Sequence, residues 1–194
     1  MMTKETKIPL KKYHFTVEEY HRMGEAGIIA PGRRVELIRG EIIEMSPINS
    51  LHAGTVKLLN RLLSPLLGED YIVSVQDPVE LDRYSEPEPD LAILKYRKDL
   101  YTQSHPKPSD VLLIIEVADS SLEKDREIKL PLYAAAGIEE AWTINLQDQQ
   151  IEVNTEPTAK GYSNKHIYRK GDIITHSLIG KLEVDRVLIT DGVE

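Results

Sequence analysis

Two short segments constrain the fold of this chain more than any others. One is Pro89-Asp90-Leu91-Ala92-Ile93-Leu94; the other is Leu112-Leu113-Ile114-Ile115-Glu116-Val117. Each is an apolar run, too short for an ordinary helix and long enough to cross a sheet as a buried strand. Each also carries one carboxylate, which is costly to bury unless a cation or hydrogen-bond donors meet it. Two such strands lying near one another bring Asp90 and Glu116 to one place. A hard divalent cation such as Mg2+ or Mn2+ is held in this way, by few protein oxygens, with the remaining positions left to water and phosphate. The pair therefore points to metal-dependent phosphodiester chemistry.

The rest of the chain supplies the elements around these strands. Thr16-Val17-Glu18-Glu19 is a capping-box pattern, so a short helix is expected to about Glu25, with Gly27 as its stop. Val35-Glu36-Leu37-Ile38 and Glu41-Ile42-Ile43-Glu44-Met45 flank Arg39-Gly40 and read as a β-hairpin. The spacing of Val56, Leu59, Leu62, Leu63, Leu66 and Leu67 predicts a helix over 50–67, with Pro65 kinking or ending it. Residues 71–75 read as a strand that continues past Pro78 through Val79-Glu80-Leu81. A second long helix is expected over 120–136, opened by a capping box from Ser120 to Glu123, kinked at Pro131 and stopped at Gly137. Further strands are expected at 141–145, 150–154, 166–168, 173–174 and 181–184. The expected class is α/β (α+β): a curved mixed sheet with one helix packed on each face and an additional β-rich C-terminal part. In domain terms this is an N-terminal arm over 1–15, a core over 16–160, and a C-terminal extension of the same domain over 161–194.

Composition narrows the function classes. A chain of 194 residues suits one domain with a sizeable core. It has no cysteine, so disulfides and thiolate metal sites are ruled out, and a reducing cytoplasm is the expected location. The first residues carry charge without the apolar stretch of a secretory signal, and no apolar run approaches the ~20 residues of a membrane helix. A net charge of -8 argues against a general nucleic-acid coat protein. It is compatible with a nuclease, in which an acidic site sits inside a local basic rim.

Each candidate residue has an ordinary reading beside the chemical one. Asp90 follows a proline and would serve as a turn residue opening a strand. Glu116 has no comfortable ordinary reading, because its run is apolar throughout. Asp125 and Lys129 stand four residues apart and would also make a surface ion pair on a helix. Glu36 reads equally as a solvent-facing strand residue, and His52 as a helix-start or core residue. His105, His166 and His176 lack ligand-like spacing and read as surface residues. Tyr133 shares a helix face with Asp125 and Lys129, with core packing as its ordinary role, as for Trp142. Two runs, Lys95-Tyr96-Arg97-Lys98 and 165–170, mix cations with aromatics; they are candidate DNA contacts or plain solvated faces.

Taken in order, these stretches resemble a known family. The order of elements resembles the PD-(D/E)XK nuclease core, and more closely the Uma-two family of restriction-endonuclease-like proteins. The matching pieces are Val35-Glu36-Leu37-Ile38-Arg39-Gly40-Glu41 with Met45-Ser46-Pro47, then His52, Gln76-Asp77-Pro78-Val79 and Pro87-Glu88-Pro89-Asp90-Leu91. They continue with Ile115-Glu116-Val117-Ala118-Asp119-Ser120-Ser121, then Asp125-Arg126-Glu127-Ile128-Lys129-Leu130-Pro131-Leu132-Tyr133, and end at Ala136-Gly137-Ile138-Glu139-Glu140-Ala141-Trp142. The resemblance spans roughly residues 16–153 and implies roles position by position. Asp90 is the motif aspartate and Glu116 the acid of the next strand, the two metal ligands. The usual motif has lysine two residues after that acid; here Ala118 stands there, and the resemblance implies that Lys129 replaces it from the following helix. Glu36 is the additional upstream acid, and Gln76, His52 and Asp125 are further site residues. The resemblance implies a Mg2+- or Mn2+-dependent endonuclease acting on DNA as a homodimer. The alternatives left open are a catalytically silent DNA-binding or regulatory partner on the same fold, and a hydrolase of another phosphodiester.

Overall fold

The computed structural model describes residues 11–119 and 121–188. Most of the N-terminal arm, residues 1–10, and the Ser120 end of the expected capping box lie outside the described residues. Helix α1, Val17–Glu25, opens with the expected capping box: Thr16 accepts from the Glu19 N–H while the Glu19 carboxylate accepts from the Thr16 N–H. Strands β1, Val35–Ile38, and β2, Glu41–Glu44, form the expected antiparallel hairpin. Arg39 and Gly40 both have positive φ, 51° and 78°, as a tight hairpin turn requires. Helix α2 spans Ser50–Leu67, capped by the Asn49 side chain on the His52 N–H, and runs two residues past Pro65.

Six strands make the main sheet, in the order β3-β4-β5-β6-β7-β8. They are β3 Tyr71–Val75, β4 Leu91–Lys95, β5 Val111–Ala118, β6 Glu140–Asn145, β7 Gln150–Thr158 and β8 Gly161–Arg169. Only β5 and β6 run parallel, and the connection between them carries the helical segment such a pairing needs. β8 pairs with β7 along its length, so the chain after residue 161 enters the main sheet. Strands β9, Ile173–His176, and β10, Gly180–Glu183, form a separate hairpin.

Strand alternation assigns residues to the two faces. Leu91, Ile93, Leu113, Ile115, Val117, Trp142 and Ile144 point one way and pack under Val56, Leu59 and Leu63 of α2, with Ile174, Leu182 and Val187 closing the same core. Ala92, Leu94, Ile114 and Ala141 point the other way, against Leu130, Leu132 and Tyr133. Glu116 belongs to this second face.

Two expectations are corrected. Residues 79–81 do not extend β3. Gln76 adopts a left-handed φ of 55° and turns the chain, and Val79 and Leu81 become buried loop residues tied by backbone bonds to Pro87 and Ser85. The second long helix is not a kinked α-helix. It is built as α3, Leu122–Lys124, a π-turn over Asp125–Lys129, and α4, Leu130–Ala135. The Leu130 N–H bonds to Asp125 O, five residues back. Pro131, in the first turn of α4, has no N–H to lose there.

Candidate active site

The register of β4 and β5 creates the site. Leu91 pairs with Ile115, so one further step along the two strands sets Asp90 opposite Glu116. The contacts agree: the Asp90 N–H donates to Glu116 Oε2 at 3.3 Å, and the Val117 N–H donates to Asp90 Oδ2 at 2.9 Å. Two further side chains fix the aspartate. His52 Nε2, from the first turn of α2, donates to Oδ2 at 3.0 Å, and Gln76 Nε2 donates to Oδ1 at 3.2 Å. The left-handed turn at Gln76 that ends β3 is what aims this amide at Asp90.

Glu116 is 2% exposed and faces the π-turn and α4. Its Oε1 accepts from Lys129 Nζ at 3.1 Å and from the Tyr133 hydroxyl at 2.5 Å. Lys129 Nζ also donates to Glu88 O at 3.1 Å and lies 3.5 Å from Glu36 Oε2. Glu36 arrives on β1, which a backbone bridge from Leu37 to Glu86 docks beside the segment leading into β4. Lys124 Nζ bonds the other Glu36 oxygen at 2.6 Å, and Ser121 Oγ donates to Asp125 Oδ2 at 2.6 Å. Asp90, Asp125, Lys124, Lys129, His52 and Arg34 line the open cleft above.

Glu36, Glu116, Asp90 and Asp125 face two ammonium groups, those of Lys124 and Lys129. Burial pushes the Glu116 carboxyl up to about 8; Lys129 opposes this, while Asp125 and Asp90 add to it. Burial also raises Asp125, outweighing its attraction to Lys129 and its bond from Ser121. At Glu36 burial acts upward too, but Lys129 and Lys124 hold the carboxyl below its usual range. At Asp90 burial is likewise outweighed, first by the His52 hydrogen bond and charge and then by the Val117 N–H. Burial of Lys129 acts to lower it, but Glu116, Glu36, Asp125 and Asp90 together drive it well above the lysine range.

All seven residues singled out from the sequence therefore meet here: Asp90, Glu116, Lys129, Glu36, Gln76, His52 and Asp125. The site holds more than those seven. Lys124 and Tyr133 bond directly to the acids. Tyr133 was legible in principle, since it lies four residues beyond Lys129 on one helix face; Lys124 was not, because only the π-turn brings it round to Glu36. The cation-aromatic runs are largely occupied: Arg97 bonds Asp99 at 2.6 Å and stacks on Tyr101, and Lys165 reaches Glu152 at 3.4 Å. His166 is exposed, as read from the sequence. His176 and His105 are not plain surface residues. His176 packs edge-on against Trp142 with Nε2 3.3 Å from Glu140, and His105 packs edge-on against His21.

Similarity to known proteins agrees with this architecture. No curated protein matches the chain. Among solved structures, a putative nuclease belonging to DUF820 from Anabaena variabilis ATCC 29413 superposes with a TM-score of 0.64 at 12% identity, over 89% of this chain and 97% of that one. At that identity the likeness speaks for the fold alone. The model of the Uma2 family, described as putative restriction endonuclease, matches residues 17–186. That is most of the chain, and the protein belongs to the Uma2 family of putative restriction endonucleases.

Proposed function

We propose that this protein is a Mg2+- or Mn2+-dependent endonuclease that hydrolyses DNA phosphodiester bonds, and that it works as a cytoplasmic homodimer. The observation that carries the reading is the seating of Lys129 Nζ against Glu116 beside the anchored Asp90, at the wall of an open cleft. The donor set fits a hard divalent cation: carboxylate oxygens, one of them with its pKa raised by burial and by neighbouring acids, in a site with an excess of negative charge. Asp90 and Glu116 would hold it. When bound, such an ion lowers the pKa of water and offsets charge on the scissile phosphate.

The remaining roles follow from charge and geometry. The surrounding acids favour the charged form of Lys129, and its ammonium is placed to orient water and stabilise charge on the pentavalent phosphate. Glu36 holds Lys129 in place, with Lys124 as its second partner. Tyr133 sets the Glu116 side chain; His52 and Gln76 set Asp90. Arg34 offers positive charge to the DNA backbone at the mouth of the cleft. Supercoiled plasmid incubated with Mg2+ or Mn2+ tests the reading. Nicking that a chelator stops is expected, with Lys129→Ala slowed by roughly 10²-fold or more while metal binding persists. Wild type inert toward duplex and single-stranded DNA across several divalent metals would contradict the proposal.

A further inference from the structure

We propose that His21, Glu86 and His105 form a second metal site, independent of the nuclease reading, that takes one zinc ion. Among the described residues it is the only group of three His, Asp or Glu side chains whose ligand atoms all lie within 4.8 Å of one another. The three come from separate parts of the chain: His21 from α1, Glu86 from the segment leading into β4, and His105 from the loop between β4 and β5. His21 Nε2 lies 2.7 Å from Glu86 Oε1, and the His21 and His105 rings meet edge to face with centroids 5.7 Å apart.

The chemistry of the set is specific. Two imidazoles and one carboxylate are a frequent zinc donor set, with a fourth position left to water. Ligand atoms of one tetrahedral zinc, bonded at about 2.0–2.2 Å, stand roughly 3.3–3.5 Å apart. Reaching that spacing means parting His21 Nε2 from Glu86 Oε1, now 2.7 Å apart, by rotation of imidazoles that are partly exposed.

Glu86 supplies the second, independent observation. Its side chain is 2% exposed, and its Oε2 is one of the few buried polar atoms without a hydrogen-bond partner. A buried carboxylate oxygen without a partner is disfavoured, and a cation at this point would satisfy it. The backbone of Glu86 is already fixed, its N–H donating to Leu37 O at 2.8 Å. The fold thus fixes the Glu86 backbone, and His21 anchors the carboxylate through Oε1, leaving Oε2 without a partner. A zinc ion here would tie α1 and the loop after β4 to the segment that ends at Asp90, and so stiffen the frame around it.

Titration of the metal-free full-length protein with ZnCl2 by calorimetry, and with CoCl2 by visible absorption, tests the proposal. We expect one equivalent of zinc to bind at this site at micromolar concentration or tighter, over and above any taken up by the acids of the cleft. Cobalt should give the intense d–d bands of a low-symmetry nitrogen and oxygen site. His105→Ala, on a surface loop, and His21→Ala should each lose that equivalent and the spectrum, and Asp90→Ala/Glu116→Ala should keep both. Zinc should raise the melting temperature of wild type but not of His105→Ala. No binding in wild type, unchanged binding in His21→Ala and His105→Ala, or loss of the cobalt bands in Asp90→Ala/Glu116→Ala would each overturn it.

Discussion

At Glu116 burial raises the carboxyl, with Asp125 and Asp90 adding to it, against the pull of Lys129, and burial prevails. The folded-state pKa, about 8, stands above the ordinary value of 4.5, so the native state holds a proton that the unfolded chain has released. Its contribution to stability is therefore full below about pH 4.5 and is lost as pH rises through about 8. Glutamine in its place does not titrate. Without divalent metal, the stability of wild type relative to Glu116→Gln should fall between pH 5 and pH 8, by an amount on the order of a few kcal/mol. Melting curves of both proteins across that range check it, and a flat difference would contradict it. Glu116 stands out in the sequence because an acid in a β-branched run has so few ordinary explanations, whereas Asp90, which also reads as a turn residue after proline, gains weight from Glu116 and from the family resemblance. Lys129 was reached only through the family resemblance, since its spacing from Asp125 fits a surface pair as well. Its burial, 4% exposed, is a tertiary fact.

The elements divide in the same way. Elements defined by local chemistry, such as the capped α1, the apolar stripe of α2 and the hairpin at Arg39-Gly40, lie where their sequences indicate. Elements that depend on long-range pairing were harder to read. The strand extension at 79–81 failed because the turn at Gln76 serves Asp90, and no local signal marks a glutamine for a left-handed conformation. The π-turn was hidden for a related reason: a widened turn sets residues five apart on one face, which lets Lys124 and Lys129 grip the two oxygens of Glu36. The hairpin turn offers a test at this scale. Gly40 has φ of 78°, and a methyl group there would meet His14 Cβ at 2.5 Å. Gly40→Ala should destabilise the protein by about 1–3 kcal/mol, through both backbone strain and overlap. Denaturant unfolding measures it, and a variant within error of wild type would contradict the packing described.

For the whole molecule, the nuclease reading requires that one acidic cleft meet a polyanion. The net charge of -8 makes that contact local, with Arg34 beside the cleft, so few phosphates are neutralised by side chains and the affinity for DNA, measured across a salt series, should fall by only about one power of ten per tenfold rise in salt for each such contact. Cutting both strands of a duplex calls for two clefts, and closed two-fold pairs are the commonest way to supply them. Light scattering at micromolar concentration should give about twice the 22.0 kDa chain mass, and a monomer would count against the two-cleft arrangement. The class of fold was legible from the order of elements, and its faces from strand alternation. The place of the tail was less so: only 166–168 of β8 had strand character in the sequence, while the strand spans nine residues and pairs with β7 from Gly161 to Arg169. The central claim is that Glu116 holds the ion on which cleavage depends. Its most direct test is the plasmid-cleavage rate of Glu116→Ala against wild type in saturating Mg2+, with a melting curve for each. A loss of roughly 10²–10⁴-fold with folding intact is the predicted result; equal rates would contradict the account.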